Sequence, residues 1–160
     1  NICRSPMAEG IMKNLILDYV ESKKQVMPLE IFSTGTHTNW GHPASGYAIE
    51  VSQQHDINLG FHRSKQITQE IAKAADLILT MEKSHKYYIK QHWPFIDYVY
   101  ELKSFDRAND PFEGKLDIMD PIGMDYDVYY NVFKEIRNEV SRISKTVFSL
   151  ALEKYNMTGN

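Results

Sequence analysis

Ala75-Asp76-Leu77-Ile78-Leu79-Thr80-Met81 is a compact apolar run set between two helical patterns, residues 69–74 before it and 84–92 after it. A run of that length and composition fits a strand buried on both faces of a parallel sheet. Further on, residues 98–102 (Tyr-Val-Tyr-Glu-Leu) read as another strand, and residues 104–123 as a polar Asp/Gly/Pro-rich loop. The chain closes with a long amphipathic helix over residues 126–155, in which Tyr129, Phe133, Ile136, Val140, Ile143, Val147 and Leu150 recur in steps of four and three.

In the other direction, residues 43–55 read as a helix with Ala44, Tyr47, Ala48 and Val51 inward. Residues 29–35 (Leu-Glu-Ile-Phe-Ser-Thr-Gly) read as a strand ending in a turn. Residues 6–24 carry Met7, Ile11, Leu15 and Tyr19 at helical spacing, with Ser5 placed to cap and Pro6 at the first helical position. Alternating elements of this kind predict an α/β fold: a single doubly wound domain over residues 1–160, with a mostly parallel sheet and helices on both faces.

Composition narrows the partners. The 160 residues are 42% hydrophobic and 24% charged, an ordinary balance for a chain that folds on a core. A net charge of −3 leaves no basic excess for nucleic acid or a membrane surface, so any phosphate binding is local. Cys3 is the single cysteine, and no apolar stretch reaches the length of a membrane span. A reducing, cytoplasmic setting is expected. His37 and His42 flank Trp40 without a cysteine or acidic pair at ligand spacing, and Asp117, Asp120, Asp125 and Asp127 lack the glycine and glutamate of a calcium loop. No metal and no cofactor are expected.

In a parallel sheet, ligands gather where strand-to-helix loops converge. Asn1-Ile2-Cys3-Arg4-Ser5-Pro6 enters a helix, and there an arginine fork, free N–H groups, a hydroxyl and the positive end of the helix dipole all favour a phosphate-like dianion. Taken alone, Ser5 reads as a plain cap, Arg4 as a solvated side chain, His62 as a loop histidine, Trp40 as a core aromatic, and Asp120-Pro121 as a turn.

The longer pattern separates these readings. Asn1 to Glu9 (NICRSPMAE) closely resembles the end of the phosphate loop and the start of the first helix of the low molecular weight protein tyrosine phosphatases. Ser33-Thr34-Gly35-Thr36 with Trp40, His62-Arg63-Ser64-Lys65-Gln66-Ile67-Thr68, residues 75–81 and Asp117-Ile118-Met119-Asp120-Pro121 resemble further blocks of that family in the same order. The resemblance implies a four-stranded parallel sheet and a loop whose nucleophilic cysteine lies three residues before Asn1. Cys3 matches the family's second cysteine. The nucleophile, the first half of the loop and the first central strand are expected in residues preceding Asn1.

By the same resemblance Arg4 grips the phosphoryl oxygens and Asp120 is general acid and then base. Asn1, Ile2, Cys3, Ser5 and Trp40 contact substrate, while Ser33 and His62 support the loop. The implied substrate is a phosphorylated protein, hydrolysed through a phosphocysteine. Ile122-Gly123 follow Asp120-Pro121 where many members carry two tyrosines, leaving Trp40, with Tyr126 or Phe112, to supply the aromatic wall. Ile2 matches the phosphotyrosine branch, whereas the Asp-Pro-x-Gly pattern at 120–123 resembles the phosphoarginine branch. Phosphotyrosine is the expected substrate and phosphoarginine the alternative. A thiol-coupled arsenate reductase would need downstream cysteines, which this sequence lacks. The rival from another class is a phosphate-binding module without a nucleophile.

Overall fold

The strand expected over residues 75–81 forms at its centre. In the computed structural model, which describes residues 1–107 and 114–158, β1 (Ile78–Thr80) pairs in parallel with β2 (Val99–Glu101), Ile78 opposite Val99 and Thr80 opposite Glu101. Leu77 and Leu79 pack into one hydrophobic cluster and Ile78 into another, so the alternation of strand side chains feeds two cores. The larger core is built by α1 (Arg4–Lys23), α2 (Gly46–Gln53) and α5 (Tyr126–Met157), around Met7, Ile11, Val51, Phe133, Ile136 and Ile143. The smaller one joins Ala72 of α3 (Gln69–Ala74) and Ile89 of α4 (Lys83–His92) to Ile67, Ile96 and Val99. A parallel strand pair between two helical layers is the α/β architecture that alternation predicts.

Several local expectations change. Residues 29–34 are not a strand: among the described residues the segment has a single parallel bridge, Gly35 with Gln66, held by Gly35 N–H to Lys65 O and Ile67 N–H to Gly35 O. Alternating side chains make a strand only when a neighbouring backbone takes up the ladder bonds. Here Leu29 and Ile31 pack on the core without one. Helix α1 starts two residues before Pro6, with Cys3 in the cap position, and Ser5 makes no capping bond. Tyr47 is 42% exposed because it lies against Tyr126 at the surface, and Leu150 is 48% exposed. Leu150 lines an apolar groove of about 670 Å³, together with Met12, Leu29, Ile31, Leu77 and Leu79.

Candidate active site

Thr80 ends β1, Met81 follows it, and α4 begins two residues after Met81. This carboxyl end of the sheet opens into a cavity of about 600 Å³, whose lining brings together Asn1, Ile2, Cys3, Arg4 and Ser5 with Asp120. Residues 116 apart in sequence meet because Ile118, buried to 1% exposure, accepts and donates across the gap. Its N–H bonds Met81 O at 2.8 Å and its carbonyl takes Arg4 Nη1 at 2.5 Å. Trp40 stands 62% exposed, outside the lining. The rings present there are those of His37, His42 and His85, with Ile122 as an aliphatic wall. Tyr126 is engaged elsewhere, its hydroxyl donating to Gln54 at 2.7 Å, and Phe112 falls outside the described residues.

Arg4 is buried to 8% exposure and faces two acids. Its Nη1 lies 2.5 Å from Glu82 Oε1 and its Nη2 3.1 Å from Asp120 Oδ2. Burial works against ionisation of Glu82 and is the largest single influence on it. Hydrogen bonds from Arg4 and Ser84 and the Arg4 charge together outweigh it and hold the carboxyl below its usual value. Burial lowers the His85 pKa, and the Arg4 charge adds to that, against opposition from Glu82 and Asp120. The neutral imidazole is therefore favoured beside the cavity.

Behind the cavity wall lies a web centred on Asn1. Its amide nitrogen donates to Ser5 Oγ at 2.7 Å and Ser33 Oγ at 2.9 Å, and its side-chain oxygen accepts Lys65 N–H at 3.1 Å. Because Ser5 Oγ accepts from Asn1, its own proton stays available to an anion in the cavity. His62 Nε2 lies 2.8 Å from Asn1 O, and a carbonyl can only accept, which fixes the proton on Nε2. Ser33 in turn donates to Glu9 Oε2 at 2.7 Å, and the same oxygen is 3.8 Å from His62 Nδ1. A Cβ on Gly35 would stand 3.1 Å from the Asn1 backbone nitrogen, so a glycine there lets residues 33–36 close against Asn1.

Three of these groups were missed in the sequence. Glu9 is four residues after Ser5 on α1 and so shares its face, a spacing that could have found it. Glu82 and His85 carry no local signal, since only the fold sets the start of α4 against Arg4. Cys3 is buried, its Sγ 3.2 Å from Tyr129 Oη. Burial and the Cys3 hydrogen bond raise the Tyr129 pKa to about 12. Among the described residues no three His, Cys, Asp or Glu side chains are grouped to hold a metal ion.

A family model described as low molecular weight phosphotyrosine protein phosphatase matches residues 1–152. A probable low molecular weight protein-tyrosine-phosphatase, EpsP of Ralstonia nicotianae, is 33% identical over 121 residues, 72% of this chain and 75% of that protein. A protein-arginine-phosphatase of Bacillus subtilis is 28% identical over 146 residues, 91% of this chain and 89% of its own. Among solved structures, the YwlE arginine phosphatase of Geobacillus stearothermophilus superposes with a TM-score of 0.79 at 30% identity, covering 96% of this chain and 90% of that one. A low molecular weight protein tyrosine phosphatase from T. tengcongensis gives 0.76 at 32% identity, with 91% and 92% covered.

Proposed function

The chain belongs to the low molecular weight phosphotyrosine protein phosphatase family, and from that premise we propose that it hydrolyses phosphotyrosine in proteins through a phosphocysteine intermediate. The observation that carries the reading is the buried Arg4 guanidinium at the foot of the cavity, 3.1 Å from the Asp120 carboxylate. One group is built to hold a dianion and the other stands where a leaving oxygen would emerge.

In this mechanism a cysteine three residues before Asn1 attacks phosphorus in line. Ser5 and the first N–H groups of α1 face the phosphoryl oxygens, and Arg4 holds two of them as the group becomes planar. Asp120 gives its proton to the leaving oxygen, then takes one from water as the thiophosphate is hydrolysed. Glu82 keeps the Arg4 fork oriented while Asp120 is free to work. Ser33, His62 and Glu9 hold Asn1, and through it the loop, in place before substrate arrives.

The four-stranded sheet belongs to the same reading. Its first central strand would precede Asn1, and the apolar groove between residues 28–32 and β1 offers the lining such a strand needs. The implied setting is the cytoplasm, and no helix among the described residues is long and apolar enough to cross a membrane.

A second reading, phosphoarginine hydrolysis, is favoured by one specific observation. Asp120 and Ile122 line the cavity without a tyrosine beside them, leaving a carboxylate and an aliphatic side chain on a wall that accommodates a guanidinium. Against it stands Ile2, which lines the same cavity and packs on the core as an apolar flank for a phenyl ring. Steady-state rates of the full-length protein on matched phosphotyrosine and phosphoarginine peptides decide between them. Phosphotyrosine is expected to be preferred, with Ile2→Thr shifting the ratio toward phosphoarginine. A wild-type preference for phosphoarginine overturns the substrate assignment.

A further inference from the structure

We propose that Lys103, on the turn after β2, is a positioning residue for the general acid, acting on Asp120 through the backbone strap of residues 115–118; the proposal rests on the phosphatase reading above. Lys103 is 7% exposed, an uncommon burial for a lysine. Its Nζ donates to the carbonyl of Lys115 at 3.0 Å, lies 3.4 Å from that of Asp117, and pairs with the Glu135 carboxylate on α5. One ammonium thereby fastens the end of β2, the strap and the long helix together.

The strap is what Asp120 hangs from. Lys83 N–H bonds the Asp117 side chain at 2.8 Å, and Ile118 is held on both sides by Met81 and Arg4. Two residues on, Asp120 is exposed at the cavity edge, its Oδ1 taking only a 3.3 Å bond from Ile122 N–H on its own turn. Its Oδ2 pairs with Arg4 Nη2 at 3.1 Å, and the strap below it sets the backbone position from which that pair forms. A methionine would fill the Lys103 site as well as the aliphatic stem does, so packing alone does not call for a buried cation there. What the ammonium adds is a donor to two strap carbonyls in partly buried hydrogen bonds.

A loosened strap should impair proton donation and spare phosphate binding. For full-length Lys103→Met, kcat/KM on phenyl phosphate, whose leaving group needs the proton, is expected to fall roughly tenfold, a fraction of what a general acid supplies. On 4-nitrophenyl phosphate, whose leaving group departs as an anion, the fall is expected to stay under about twofold, with vanadate inhibition unchanged. In an Asp120→Asn background Lys103→Met should cost no further factor, because both act through one step. Glu135→Gln, which keeps shape and removes the counter-charge, should steepen the leaving-group dependence in the same direction by less, and serves if Lys103→Met does not fold. Equal losses on both esters, or losses that multiply with Asp120→Asn, overturn the proposal while leaving the phosphatase reading intact. A wild-type protein inactive on both esters overturns both. Faster amide exchange over residues 114–124 in either variant is the matching readout without turnover, and unchanged exchange there counts against the strap.

Discussion

Replacing Ser33 by alanine removes the central link of the web that holds Asn1, and the structure sets the size of the effect. The hydroxyl accepts a neutral bond from Asn1 Nδ2 at 2.9 Å and donates a charge-assisted one to Glu9 Oε2 at 2.7 Å. Such bonds contribute about 1 and about 1.5–3 kcal/mol. Both are partly buried, so water recovers part of the loss, and the net destabilisation is expected near 2 kcal/mol. For a chain of this size that lowers Tm by roughly 4–8 °C. Thermal and urea unfolding of the full-length protein measure it, and a double-mutant cycle with Glu9→Gln isolates the pair. The cycle should return a coupling of about 1 kcal/mol. A shift below about 0.5 kcal/mol, or a coupling near zero, refutes the claim that Ser33 ties Glu9 to Asn1.

Arg4→Ala should weaken vanadate inhibition roughly a hundredfold, since two charge-assisted bonds are lost, and should also destabilise the fold by leaving Glu82 and Asp120 uncompensated; inhibition titrations and urea midpoints read the two effects separately. Because burial lowers the His85 pKa, the unfolded chain protonates first as pH falls below about 6.5, so this group's contribution to stability declines on acidification through that value until the folded form also protonates. His85→Asn is expected to flatten the stability profile in that window, leaving the Glu82 contribution, which is lost only at more acid pH as its own lowered pKa is crossed. Phe133, fully buried where α5 meets the larger core, should cost about 3–5 kcal/mol when cut to alanine, measured by urea unfolding.

Residues 75–81 made the architecture legible, because an apolar run between two helical patterns has few other readings, and α5 announced itself through its steps of three and four. Residues 29–35 misled for a reason local pattern cannot see: whether an alternating segment becomes a strand depends on the backbone beside it. Tyr47 and Leu150 share the right helical face yet lie at its edge, where burial is decided by neighbours distant in sequence. The site divides the same way. Arg4, Ser5 and Asp120 were readable through their motif, and the structure brings them to one cavity. Glu82, His85 and Lys103 became visible only once the strap from residue 115 to 118 was seen to cross between α4, the turn after β2 and α5. The aromatic wall assigned to Trp40 is the clearest difference, since that ring faces outward and imidazoles line the cavity in its stead.

The central claim is a covalent phosphoenzyme formed on the loop that ends at Arg4. Rapid acid quench of the full-length protein turning over 4-nitrophenyl phosphate, followed by peptide mapping, should find one phosphoryl group on the peptide ending in Asn1-Ile2-Cys3-Arg4, on a cysteine other than Cys3. The amount trapped should rise in Asp120→Asn, which lacks the base for the second step. Turnover without any phosphorylated peptide, or phosphate binding without turnover, contradicts the account.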